Sequence, residues 1–238
     1  MSADELSIIA LSLQVAALST LASLPFAALM AWVLARWDSP WRSLLHGVVM
    51  LPMVMPPVVT GFLLLTLLGR SSLFGSWLFD VFGVSIAYST LACVIAAGVV
   101  GFPLMVESMR LALLGVDPRL ERISRSLGRG RWATAWRVTL PLAWPGVIGG
   151  AVFAFARALG EYGATIVLAG NVEGETETIS LRVMEAISSF RAEEEGVAIR
   201  LVCVSVAISL VALLLATWLQ RAQRAKLLDV NQAGARDV

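Results

Sequence analysis

The sequence predicts an all-α fold, a polytopic transmembrane helical bundle with about five spans. Of its 238 residues, 58% are hydrophobic and only 15% are charged, whereas soluble domains carry about 25% charged residues. The apolar residues also fall into five runs that are each long enough to cross a bilayer. Backbone groups in lipid must be hydrogen-bonded within their own segment, so runs of this length are expected to form helices.

Each candidate span has the required length. A rise of about 1.5 Å per residue must cover about 30 Å of hydrocarbon, so about 20 residues are needed. The five candidate spans are residues 11–35, 45–68, 86–109, 138–160 and 197–219.

The basic residues predict the orientation of these spans. With the amino terminus outside, thirteen Lys and Arg residues lie on the inner side and four on the outer side. This asymmetry is the positive-inside pattern. It places the carboxyl terminus and a loop at about 112–137 in the cytoplasm. Residues 1–220 are then one transmembrane domain, and residues 221–238 are a cytoplasmic tail.

The cytoplasmic loop contains a predicted amphipathic helix. Asp117-Pro118 is a favourable start, because an acidic N-cap is followed by proline at the first helical position. Gly128 is a typical stop. Between them runs one apolar stripe of Leu120, Ile123 and Leu127. The opposite side of this helix is rich in arginine.

Proline residues predict a break in the second span. The stretch "LPMVMPPVVTG" places Pro56 and Pro57 inside it, and each removes a helix hydrogen bond. Broken backbone at membrane depth is tolerated only against protein or a watery path. Pro56 and Pro57 are therefore candidates to line a watery path, although an ordinary kink is the alternative.

Two charged residues near the outer end of the fourth span form a second candidate site. Arg157 and Glu161 are spaced i, i+4, so they are expected to pair on one helix face. The pair could be structural. It could also be an outer gate, with Gly160 and Gly163 as hinge points.

Several kinds of chemistry are not expected. The sequence has no GxxxxGK[ST] loop, HExxH or GxSxG motif, and its one histidine, His46, has no metal-ligand spacing. No catalytic residue, metal site or bound cofactor is predicted. Trp132 and Trp136 in the basic block suit a lipid interface better than nucleic acid. Binding to anionic lipid is an alternative role for this block.

The end of the basic block resembles a motif of a known family. Gly128, nine further residues and then the segment 138–141, "VTLP", resemble the second half of the "EAA…G…I-x-LP" motif in permease subunits of binding-protein-dependent ABC importers. The motif's glutamate-alanine-alanine is replaced by Arg122, Ile123 and Ser124, and Glu121 lies one position early. In that family the motif forms a coupling helix that docks in a groove of a separate ATPase. The resemblance implies that the ATPase-coupling residues are Leu120, Glu121, Arg122, Ile123, Ser124, Leu127, Gly128 and Arg129.

Further segments are similar to the molybdate permeases within this family. They include "FPLMVESMRLALLGVDPRLE", "FARALGEYGATIVLAG" and "GETETIS". Sulfate permeases carry a similar "GEYG" element, so a sulfate or tungstate permease is an alternative. A membrane scaffold or lipid-binding subunit is the alternative from another class.

The resemblance implies an assembly as well as a fold. The fold would be that of a type I ABC importer permease in a bacterial plasma (inner) membrane. The partners would be a second copy of the chain, two ATPase subunits that carry ATP and Mg, an outer molybdate-binding protein and membrane lipid, with no nucleic acid. The translocation path or gate would comprise Pro56, Pro57, Thr60, Arg157, Gly160, Glu161 and Gly163.

Overall fold

The computed structural model describes residues 3–189 and 192–236, and these residues form helices connected by short turns, with no strand among them. The helices are α1 (Ala3–Arg36), α2 (Arg42–Val54), α3 (Pro57–Leu68), α4 (Leu73–Phe82), α5 (Thr90–Leu114), α6 (Pro118–Ser126), α7 (Arg131–Thr134), α8 (Leu140–Leu159), α9 (Gly163–Leu168), α10 (Ile179–Ser188) and α11 (Ala192–Arg236). A π-helical turn, Ala135–Thr139, joins α7 to α8 without a break.

The number of spans agrees with the prediction. Among the described residues, four segments are long and apolar enough to cross a membrane: Ala3–Arg36, Thr90–Leu114, Arg131–Leu159 and Glu195–Leu219. A bent helix pair, α2 with α3, makes a fifth span if it is counted as one. The first span begins eight residues before the predicted 11–35, and the fourth begins at Arg131 rather than at residue 138.

The second span is broken where the sequence predicted a break. The axes of α2 and α3 differ by 109°. Pro56 is the N-cap of α3 in extended backbone, and Pro57 is its first helical residue. Neither proline has an N–H group, so the hydrogen-bond ladder of α2 cannot continue across them. The predicted span 45–68 therefore consists of two half-helices that meet at the predicted break.

Helix α5 lies at the centre of the bundle, packed between α1 and α8. Its contact with α8 depends on glycine. A Cβ at Gly150 would lie 2.9 Å from the backbone oxygen of Met105, and one at Gly146 would lie 2.2 Å from the Cβ of Ala112. Small residues let membrane helices approach closely, where dispersion rather than the hydrophobic effect holds them together.

Helix α4 was not predicted from the sequence. Its ten residues are too few to span a membrane. The Ser72 hydroxyl accepts a hydrogen bond from the Gly75 N–H at 2.8 Å, and Gly83 ends the helix at φ 67°. These two capping residues are the sequence signal for the helix.

The long outer connection, residues 162–196, includes helices α9 and α10 and a turn between them that is hydrogen-bonded to α5. Helix α10 spans Ile179–Ser188. Helix α9 was not predicted. The turn between α9 and α10 is tied to the amino-terminal end of α5, where the Thr90 hydroxyl donates to the Glu175 carbonyl at 2.9 Å. Its Thr176 side chain is fully buried.

The last span continues without interruption into the predicted tail. Helix α11 runs to Arg236, so residues 221–236 extend it, and residues 237–238 lie outside the described residues. At its other end, Arg200 donates to the buried Glu5 carboxylate of α1 at 2.5 Å. This pair attaches the last helix to the first.

Candidate coupling site and membrane path

Helix α6 begins and ends as the sequence predicted. The Asp117 carboxylate accepts a hydrogen bond from the Arg119 N–H at 2.8 Å, and Pro118 is the first helical residue. The helix ends with Gly128 at φ +80°. The Gly128 N–H donates to the Arg125 carbonyl at 3.0 Å, and the Arg129 N–H donates to the Ser124 carbonyl at 3.3 Å. These two bonds form a Schellman motif, which requires the left-handed residue at Gly128.

The predicted apolar stripe faces away from the bundle. Leu120 is 44% exposed, Ile123 57% and Leu127 74%. Arg122 and Arg129 are exposed as well. Three adjacent apolar side chains without cover on a small basic helix form a surface suited to contact with another molecule.

Glu121 faces the opposite way, although the sequence grouped it with the docking residues. It is 7% exposed. Both of its carboxylate oxygens accept from Arg36, the last residue of α1, with the Nη1 contact at 3.1 Å. The Thr139 hydroxyl also donates to its Oε1 at 2.7 Å. Glu121 therefore attaches α6 to the ends of two membrane helices rather than to an external surface.

Ser124 lies one turn along the same inward face. It is 5% exposed, and its hydroxyl lies 3.1 Å from that of Thr134 in α7. Helix α6 thus has two distinct faces. Glu121 and Ser124 bind the bundle, while Leu120, Ile123 and Leu127 are exposed.

Three partners of this inward face, Arg36, Thr134 and Thr139, were missed by sequence reasoning. Nothing in the local sequence links Arg36 to Glu121, which lies 85 residues away. Thr139 lies in the π-helical turn, which changes the direction of the side chains that precede α8.

At the other end of the bundle, the half-helices α3 and α9 meet at their amino-terminal ends. A Cβ at Gly163 would lie 2.8 Å from the Cβ of Pro57, and one at Gly61 would lie 2.7 Å from the Ala164 carbonyl oxygen. Thr60 is 5% exposed, and its hydroxyl has no hydrogen-bond partner among the described residues. The structure therefore brings Pro57, Thr60 and Gly163 into one region.

Arg157 and Glu161 do pair, at 2.6 Å between Nη1 and Oε2, but they do not share a helix. Helix α8 ends at Leu159 with Gly160 as its C-cap, so the prediction of one helix face is wrong. The buried Glu161 carboxylate also accepts from the Ala164 N–H at 2.8 Å, near the start of α9. Because Gly160 ends the helix, Glu161 can turn toward α9 and link it to α8.

Helix α8 connects the two regions. Thr139, which binds Glu121, immediately precedes it, and Arg157 lies in its last turn. Its 20 residues span about 30 Å. One helix therefore joins the contact of Glu121 with Thr139 to the Arg157–Glu161 pair.

Comparison with known proteins gives concordant matches. Residues 23–225 match the family described as binding-protein-dependent transport system inner membrane component. The molybdenum transport system permease protein ModB of Escherichia coli (strain K12) is 48% identical over 214 residues, covering 90% of this chain and 93% of that protein. ModB of Haemophilus influenzae is 44% identical over 229 residues, which cover 96% of this chain and 99% of that protein. The sulfate transport system permease protein CysT of Escherichia coli (strain K12) is 33% identical over 165 residues, which cover 69% of this chain and 59% of that protein.

Solved structures with low sequence identity share the fold. A bacterial ABC transporter that imports the acidic polysaccharide alginate superposes with a TM-score of 0.72 at 18% identity, covering 93% of this chain and 80% of that one. The MetNI methionine ABC transporter superposes with a TM-score of 0.67 at 15% identity, and the match covers 94% of this chain and 99% of that one. This multi-pass membrane chain, with the fold of the type I ABC importer permeases, belongs to the binding-protein-dependent transport system inner membrane component family.

Proposed function

We propose that this chain is the permease subunit of an ATP-driven molybdate importer. The observation that carries the proposal is the 48% identity to a molybdenum transport system permease over 90% of the chain. A two-faced helix α6 supports it, since a coupling element needs one face fixed to the permease and another available to a partner.

In the proposed importer, different subunits bind ATP, form the path and deliver the anion. A separate ATPase, in two copies, binds ATP and Mg, and this chain supplies no ATPase site and binds no cofactor. Two copies of this chain enclose the path, and a molybdate-binding protein delivers the anion at the outer face. The exposed stripe of Leu120, Ile123 and Leu127 suits a groove in the ATPase.

The coupling step follows from the contacts of α6. Closure of the ATPases moves α6, and the ion pair of Glu121 with Arg36 transmits that motion to α1. The hydrogen bond of Glu121 with Thr139 transmits it to α8. Because Glu121 is bonded to both α1 and α8, we expect the two helices to tilt together rather than the loop to bend locally.

The proposed path runs beside the broken second span. Pro56 and Pro57 interrupt the hydrogen-bond ladder ahead of α3, and Thr60 supplies a hydroxyl without a partner among the described residues. A tetrahedral dianion must leave the path again, so brief contacts with donors and small residues suit it better than a deep cationic trap. We assign Arg157 and Glu161 to an outer gate, with Gly160 and Gly163 as its hinge points.

Sulfate is the second candidate substrate, because a sulfate permease is 33% identical over 69% of the chain. Reconstitution of the chain with its ATPase and binding protein in proteoliposomes distinguishes the two anions. We expect ATP-dependent accumulation of labelled molybdate that exceeds that of labelled sulfate, and competition by tungstate. Greater uptake of sulfate would support the second candidate. Absence of ATP-dependent uptake of either anion would favour a scaffold or lipid-binding role.

A further inference from the structure

A cavity of about 310 Å³ lies between the end of α1, helix α6 and the start of the fourth span. Three arginines from three elements line it: Arg36 of α1, Arg125 of α6 and Arg131 of α7. Glu121 is its one carboxylate, and the buried hydroxyls of Thr134 and Thr139 complete its polar lining. This volume is at the lower end of those typical for small-molecule sites.

The charges in this cavity are not balanced. Both oxygens of Glu121 accept from Arg36, so this pair neutralises itself. Arg125 makes only long contacts with Glu121. Its Nε lies 3.3 Å from the Glu121 backbone oxygen, and its Nη2 lies 3.9 Å from the carboxylate. Among the described residues, the Arg131 guanidinium has no hydrogen-bond or ion-pair partner. Two guanidinium groups therefore keep most of their donors available to a ligand.

We propose that this cavity binds a tetrahedral oxyanion of the phosphate type, held by Arg125 and Arg131. Guanidinium groups present planar pairs of N–H donors that match phosphate oxygens, and such charge-assisted bonds are about twice as strong as neutral ones. The Glu121–Arg36 pair and the Thr134 and Thr139 hydroxyls complete the polar lining beside these two arginines.

The headgroup phosphate of an anionic phospholipid is the source that the surroundings favour. Arg36 lies at the end of the first span, and its guanidinium lies 5.6 Å from the ring centre of Trp32. Nearby Trp132 and Trp136 are 81% and 66% exposed, an arrangement typical of the lipid–water interface. Basic pockets between membrane helices bind lipid headgroups in this way. A free inorganic oxyanion shares the same chemistry.

The site is tested on the full-length permease in nanodiscs and in detergent. Native mass spectrometry measures retained phosphatidylglycerol, with phosphatidylcholine as the zwitterionic comparison, and equilibrium dialysis at constant ionic strength measures labelled inorganic phosphate. The cavity variant is Arg125→Gln with Arg131→Gln. The control is Arg119→Gln with Arg137→Gln, which removes the same charge from exposed positions outside the cavity. Thermal unfolding confirms that both variants are folded.

We expect the cavity variant to bind phosphatidylglycerol about tenfold more weakly or worse, and the control to match the wild type. Inorganic phosphate that binds with the same arginine dependence and displaces the lipid would identify a free oxyanion as a second ligand. The proposal would be overturned if the wild type and the cavity variant bound both probes equally. It would also be overturned if the cavity variant and the control lost phosphatidylglycerol binding to the same extent. A cavity variant that keeps both probes and loses only capture of the ATPase would overturn it as well, because the cavity would then be a protein contact.

Discussion

The carboxylate of Glu121 and the guanidinium of Arg36 form a two-point ion pair that joins helix α6 to the end of the first membrane helix. The pair is separated by 85 positions in sequence, and the carboxylate side chain is 10% exposed. A helix held in this way moves with the bundle. This ion pair fixes α6 to the membrane bundle.

Removal of either partner should destabilise the attachment of α6. We expect Glu121→Gln and Arg36→Gln each to lower the free energy of unfolding by about 1–3 kcal/mol, because a partly buried polar group is left without its partner. The double variant should lose less than the sum, with an interaction energy of at least about 0.5 kcal/mol. Unfolding curves of the four proteins measure this cycle. Strict additivity would show that the two residues do not act together.

Labelling from one side of the membrane should confirm the orientation. In a cysteine-free background, Ser126→Cys and Glu173→Cys both lie at exposed positions, in α6 and in the outer connection. A membrane-impermeant maleimide applied to intact cells should label residue 173 and leave residue 126 unlabelled until the cells are permeabilised. Labelling of both residues in intact cells is incompatible with five spans. The buried Thr176 is unsuitable as a labelling site.

The break between α2 and α3 should matter for transport rather than for assembly. In the Pro56→Ala, Pro57→Ala double variant, both positions regain an N–H group, so the 109° bend can straighten. We expect uptake of the substrate anion to fall, while membrane insertion and ATPase capture persist. Pro25→Ala, in the interior of the continuous helix α1, is the matched control. Uptake at the wild-type rate in the double variant would make the break incidental.

The stop of α6 can be tested with two neighbouring glycines. Gly128 has φ +80° and Gly130 has φ −65°, and a Cβ would meet no atom within 4 Å at either position. Gly128→Val should therefore cost about 1–2 kcal/mol of local backbone strain, and Gly130→Val should not. We expect binding-protein-stimulated ATP hydrolysis to fall in the first variant only. Equal effects of the two substitutions would argue against the left-handed stop.

Features set by local chemistry could be predicted from the sequence. Run lengths gave the number of spans, and Asp117, Pro118 and Gly128 gave both ends of α6, because capping depends on adjacent residues. The inward turn of Glu121 could not be predicted, since its partner Arg36 is distant in sequence. The pairing of Arg157 with Glu161 was predicted, and the predicted span 138–160 ends within one residue of α8. The placement of both residues on one helix face was wrong, because Gly160 ends the helix before Glu161.

The central claim is that the exposed face of α6 couples a partner ATPase to the membrane path, and Ile123→Asp tests it most directly. Ile123 is 57% exposed, so the substitution leaves the fold of this chain intact, whereas a charge buried in an apolar contact with the ATPase is costly. The control Arg221→Asp also places a new acid at an exposed position, in α11 outside the loop, and its change in net charge is larger than that of Ile123→Asp. The measurement is binding-protein-stimulated ATP hydrolysis and uptake of labelled molybdate by proteoliposomes that contain each variant. We predict that both activities fall at least about tenfold for Ile123→Asp and stay near wild type for Arg221→Asp. Wild-type hydrolysis and uptake by Ile123→Asp would contradict the assignment of α6 as the coupling helix.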